Sequence, residues 1–117
     1  MKSLSYYITE AKGSKQMSLK EKISYIKKKI KEIDRLLKTD KAAPTAMNSR
    51  ASYVEQLNGY KTVEKYLLNY QKMMNTRNNS EYDKLDAKNK KLLPEISKHF
   101  GVDNPWPYIK EYEDEYE

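Results

Sequence analysis

The chain has 117 residues, no cysteine, and a formal charge of +6 from 23 basic and 17 acidic side chains. This length supports one domain with a modest core, and the lack of thiols excludes a disulfide framework, a thiolate metal site and a cysteine nucleophile. No run approaches the roughly eighteen apolar residues of a membrane span, and the N-terminus has no apolar signal core, so the chain reads as soluble with no membrane partner.

Residues 1–16 read as a leader and linker. MKSLSYYITE has the makings of a short amphipathic helix through Leu4, Tyr7 and Ile8, and AKGSKQ after it is small, polar and glycine-containing. From Ser18 to Lys38 the apolar residues Leu19, Ile23, Ile26, Ile30, Ile33 and Leu37 alternate in steps of four and three. That spacing is the stripe of an amphipathic helix. Ser18 and Glu21 stand three apart as a capping box. This is the most regular segment, and the other helices are expected to pack along it.

DKAAPTAMNS, with Pro44, predicts a turn after about Thr39. A second long helix is expected from about Ala46–Ser49 to Asn75, with Tyr53, Leu57, Tyr60, Val63, Leu67, Tyr70 and Met74 inward. Gly59 in its middle costs about 1 kcal/mol relative to alanine, and its place there points to close packing against the first helix. Two long helices with a short connection form an antiparallel hairpin. Ser80 caps a third helix with Tyr82, Leu85, Leu92, Ile96 and Phe100 inside. Pro94 predicts a kink in it or a split into two, and Gly101 its stop. The fold class is all-α: a helical hairpin plus a third, Pro-kinked helix, bundled over residues 17–102.

Residues 103–117 form an acidic, aromatic tail. Six carboxylates stand against Lys110 alone, a local charge of −5 that leaves +11 on residues 1–102. Tyr108, Tyr112 and Tyr116 recur every fourth residue, as along one edge of a short helix. Trp106, between two prolines, either plugs the end of the bundle or joins Tyr108 and Tyr112 as an edge for a partner protein.

Catalytic chemistry finds no support. His99 is the only histidine, no nucleophile motif, phosphate loop or dinucleotide fingerprint occurs, and Glu95 with His99 supplies two metal ligands at most. Neither catalytic nor metal-binding residues are assigned, nor any cofactor. Lys20, Lys27, Lys28, Lys31 and Arg35 flank the first apolar stripe with few acidic partners at stabilising spacings. They are candidates for a polyanion, with nonspecific, salt-sensitive binding as the consequence. The acidic tail is expected to be able to lie on this basic body and weaken such binding.

The first ten residues, with Ile8-Thr9-Glu10 before Ala11, resemble the capsid-targeting propeptide of internal head proteins of T-even-like tailed phages. In that family the leader begins Met-Lys and ends in an aliphatic-x-Glu motif before a small residue. The resemblance implies cleavage by the prohead protease between Glu10 and Ala11. It also implies packaging with DNA in the virion interior, then delivery to the host cytoplasm, with a host defence protein as a conceivable target. The aliphatic-x-Glu triplet also occurs at Ile30-Lys31-Glu32 and Leu93-Pro94-Glu95, where a bulky isoleucine follows. The resemblance covers residues 1–11 only. Two alternatives stand beside it: a small basic helical protein that binds nucleic acid or inhibits a host protein without processing, and a helical adaptor docking through its aromatic tail.

Overall fold

The computed structural model describes residues 17–39 and 44–117. Their elements are α1 (Leu19–Thr39), α2 (Pro44–Asn75), α3 (Asn79–Phe100), the short α4 (Trp106–Lys110), and a 3-10 turn, Glu113–Tyr116. No strand forms among the described residues. The fold is a small all-α bundle in which α1 and α2 make a hairpin and α3 folds back on α2.

The capping box closes as the sequence predicts. Ser18 Oγ accepts from the Glu21 N–H at 3.1 Å, and Glu21 Oε1 accepts from the Ser18 N–H at 2.9 Å. At the far end of α3, Gly101 takes φ 65° and ψ 37°. Its N–H donates to Lys98 O, and the Val102 N–H donates to Ser97 O. This pair of bonds satisfies the last carbonyls and needs a residue at ease in the left-handed region.

Three boundaries differ from expectation, each for a local reason. α2 begins at Pro44, because a proline in a first helical turn gives up an N–H that has no intrahelical partner anyway. The cap of α3 is Asn78, whose Oδ1 accepts from the Glu81 N–H at 3.0 Å, with Ser80 already inside the helix. Pro94 lies within a continuous α3. Pro94 and Lys90 are both exposed, so the carbonyl that loses its helical donor opens to water.

The central element is α2, not α1. α1 and α3 each pack along α2 and not against one another. The cleft between them is filled by the tail. Leu19, Ile23 and Ile26 of α1 join Tyr60, Val63 and Leu67 of α2 in one core. Ile96 of α3, with Ile109, Tyr112 and Tyr116 from the tail, completes it. Burying each such aliphatic side chain is worth about 1.5–3 kcal/mol. Residues 103–117 are thus a structural part of the bundle, and no packing boundary falls at residue 102.

The tail does not run as one helix. Tyr112, at φ −116° and ψ 4°, separates α4 from the 3-10 turn, and Ile109, Tyr112 and Tyr116 are all set in the core. Glu115 then lies beside the start of α1, where its Oε1 accepts from the Leu19 N–H at 3.0 Å. A carboxylate there satisfies a free amide and meets the positive end of the helix dipole. The ring of Tyr108 stacks on Phe100 at 4.0 Å between centroids, with 2° between planes.

Two inward positions change as well. Met73 is buried where Met74 is exposed, and Asn89 takes an inner position of α3 that Tyr82 leaves. Asn89, 4% exposed, accepts from Asn69 Nδ2 at 2.9 Å and donates to Tyr66 O at 3.1 Å. A buried amide pair fixes the register of α2 against α3, because a slip would strand it without partners. Gly59 meets α3, not α1: a Cβ there would come 2.6 Å from Phe100 Cζ.

Candidate nucleic-acid interface

Lys20, Lys27, Lys28, Lys31 and Arg35 are all exposed and line one surface groove on α1, with Ser24 among them and Glu21, Tyr25 and Glu32 also in its lining. Their spacing of seven, one, three and four keeps them on the side turned away from Leu19, Ile23 and Ile26. The core fixes this orientation, since an amphipathic helix that buries its stripe presents the opposite side outward. No ion pair joins Lys20, Lys27, Lys28 or Lys31 to a carboxylate of the described residues. Lys27 and Lys31, one turn apart, repel each other. Such a face gains from phosphates, which replace that repulsion with charge-assisted hydrogen bonds.

The other flank of α1 is organised differently. Tyr25 has Lys22 Nζ 5.9 Å and Lys29 Nζ 5.4 Å from its ring centroid, and Lys22 Nζ also lies 5.7 Å from that of Tyr60. Lys29 pairs with Glu32 at 3.7 Å. These lysines are engaged with rings and a carboxylate, in contrast to the groove lysines.

A second basic cluster is visible only in three dimensions. Lys72 of α2 and Lys84 and Lys88 of α3 line one groove at the α2–α3 turn, and Arg77 joins Lys72 in the adjoining one. They come from separate stretches of chain and form no local run. The sequence signal that could have found them is the hairpin itself, which folds Lys84 and Lys88 back beside Lys72.

The acidic tail does not lie on the basic face. Among the described residues, none from 103–117 lines either basic groove. The reason is apolar: Ile109, Tyr112 and Tyr116 anchor the tail in the core, and Glu115 is committed to the start of α1.

The tail residues proposed for docking are not equivalent. Tyr112 is 2% exposed and its ring edge meets Tyr60 at 6.1 Å, so it presents nothing to a partner. Tyr108 is half-buried in its stack on Phe100. Trp106 alone stays open, 41% exposed with its ring edge-on to Tyr66 at 6.1 Å. It rests on the side of α2 and plugs no end of the bundle. Burial raises the phenol pKa values of Tyr60, Tyr66 and Tyr116, with nearby carboxylates adding to the shift. Tyr112 is raised furthest, by burial first and then by the Glu111 carboxylate.

His99 points at α2, where its Nδ1 lies 3.2 Å from Glu55 Oε1. Among the described residues no three His, Asp or Glu side chains are grouped to hold a metal. No described helix is long and apolar enough to cross a membrane. Ile8, Thr9, Glu10 and Ala11 lie outside the described residues. Comparison with protein-family models, curated proteins and solved structures finds no match.

Proposed function

We propose that this protein is a non-enzymatic, DNA-associated internal head protein of a phage, carried in the capsid after removal of residues 1–10. The observation that supports DNA association is the outward row of Lys20, Lys27, Lys28 and Lys31, none of which forms an ion pair among the described residues although Glu21 and Glu32 share their groove. Processing rests on Ile8-Thr9-Glu10 before Ala11. A cut there leaves seven residues before Ser18, so the capping box that starts α1 stays in the mature chain. Delivery with the genome would then place the protein against host defences.

The test is the intact mass and N-terminal sequence of the protein recovered from its native particles. A chain starting at Ala11 supports the proposal. Full-length chain alone in mature particles overturns the processing step, and leaves a basic helical protein acting in the infected cell.

A second reading rests on Trp106, which keeps an open indole face on a small domain. In an adaptor, Trp106→Ala abolishes capture of the partner while the chain stays folded. An unchanged interaction sinks that role.

A further inference from the structure

The lysines of α1 belong to a larger surface. On α2, Lys61, Lys65 and Lys72 are exposed and recur in steps of four and seven, a single stripe on the helix. Helical geometry sets this stripe across the axis from Tyr60, Val63 and Leu67, which face the core and the tail. Tyr60 meets Tyr112 and Tyr66 meets Trp106 on that tail side. The lysine stripe of α2 therefore lies on the opposite face of the layer.

Both neighbouring helices turn lysines the same way. Lys84 and Lys88 of α3 share a groove with Lys72, and Lys91 continues their flank one turn on. For α1, the tail-side flank is identified by Lys22, which shares a groove with Ser52 and Gln56. Ser52 and Gln56 also line the groove that contains Tyr108. Lys20, Lys27 and Lys31 lie on the other flank of the apolar stripe, and so on the face of α1 away from the tail. Most carboxylates that border this face are already engaged: Glu21 in the capping box, Glu32 with Lys29 at 3.7 Å, Asp34 with Arg50 at 2.6 Å, and Glu81 accepting from Thr76 Oγ1 at 2.6 Å. Glu95 follows Lys91 on α3.

We infer that the nucleic-acid surface is this whole face, three helices wide, and that its ligand is the phosphate backbone of a DNA duplex laid across α1, α2 and α3. The inference rests on the proposed DNA association and extends it from one helix to three. The eleven helical steps of α2 from Lys61 to Lys72 span about 16 Å, and three helices at 8–10 Å spacing span about 20 Å. A duplex segment of about 20 Å carries roughly a dozen phosphates, about half of them facing the protein. That supply matches lysines drawn from all three helices. The face carries Leu68, 42% exposed, amid the α2 lysines and lacks the aromatic and aliphatic wedge of a lipid-binding helix. The tail on the opposite face confines the negative charge there, which orients the protein on DNA.

The experiment compares the full chain with four triple variants in salt titrations of binding to a 20-base-pair duplex. Three neutralise one helix each: Lys20, Lys27 and Lys31→Gln; Lys61, Lys65 and Lys72→Gln; Lys84, Lys88 and Lys91→Gln. The fourth removes the same charge elsewhere, with Lys29, Lys90 and Lys110→Gln. All sites are on the surface, and helical circular dichroism verifies folding. The α2 and α3 triples are expected to weaken binding about tenfold or more in low salt. Each should also flatten the logarithmic salt dependence by roughly two to three, from about 0.9 per lost phosphate contact, while the fourth variant stays near the parent. If only the α1 triple loses affinity, the three-helix face is wrong and the DNA association stands. If the parent binds no duplex at all, the DNA association itself falls and this inference with it. Binding to phosphatidylserine vesicles through the same lysines, without duplex binding, likewise overturns it in favour of a lipid surface.

Discussion

Replacing Gly59 with alanine tests the packing of α2 against α3. The new Cβ would stand 2.6 Å from Phe100 Cζ and 2.7 Å from Cε2, where carbon atoms prefer about 3.5–4.0 Å. The ring must withdraw by roughly 1 Å. It is held on one side by the parallel stack with Tyr108 and on another by the edge of Tyr60 at 4.8 Å. Overpacking of this kind costs about 1–3 kcal/mol, and each loosened aromatic pair forfeits up to about 0.5–1.5 kcal/mol. Against this, alanine improves helix propensity by about 1 kcal/mol. The net expectation is a loss of about 1–2 kcal/mol, read as a lower urea midpoint and a Tm lower by roughly 4–8 °C for each kcal/mol. Near-ultraviolet circular dichroism should change with it, because the Phe100–Tyr108 stack is disturbed. In a Phe100→Leu background the clash is relieved, so the same Gly59→Ala change should be neutral or stabilising. A Gly59→Ala single variant more stable than the parent would refute the close contact, since propensity alone would then decide the outcome.

Three further outcomes follow from particular contacts. Glu115→Ala removes the acceptor at the Leu19 N–H and should cost about 1 kcal/mol, with faster amide exchange at the start of α1; Glu115→Gln should restore part of the loss. Asn89→Leu strands Asn69 against an apolar neighbour and should cost about 1–3 kcal/mol; no loss in the urea midpoint would show that the amide pair does not set the α2–α3 register. Alkali should destabilise the fold. Burial raises the phenols of Tyr60, Tyr66, Tyr112 and Tyr116 in the folded chain, whereas in the unfolded chain they ionise near about 10. The unfolded state then binds fewer protons above that pH, so stability is intact below about pH 10 and falls as pH rises further. A urea midpoint constant from pH 9 to 11 contradicts this, and Tyr112→Phe should make the fall shallower.

The sequence alone determined the local elements. Ile23, Ile26 and Ile33 repeat at the helical period, Ser18 and Glu21 satisfy each other's backbone amides, and Gly101 accepts a positive φ: all are decided within a few residues. Helix starts were harder, because Pro44 and Asn78 are equally suited to a turn and to a first helical turn. The α1 lysines were legible because they share one amphipathic helix. What tertiary structure decided is which helix is central and what the tail does. A peripheral helix buries one side, so its stripe stands out in the sequence, as in α1. A helix contacted from several sides spreads its apolar residues around its axis, so α2, on which the rest packs, shows the weaker stripe. The tail reads as an acidic appendage until Ile109, Tyr112 and Tyr116 are set in the cleft between α1 and α3, because local charge is visible in sequence and the cleft is not. The lysines of α2 and α3 become one surface with those of α1 only when the helices lie side by side, since no local period links positions that distant in the chain.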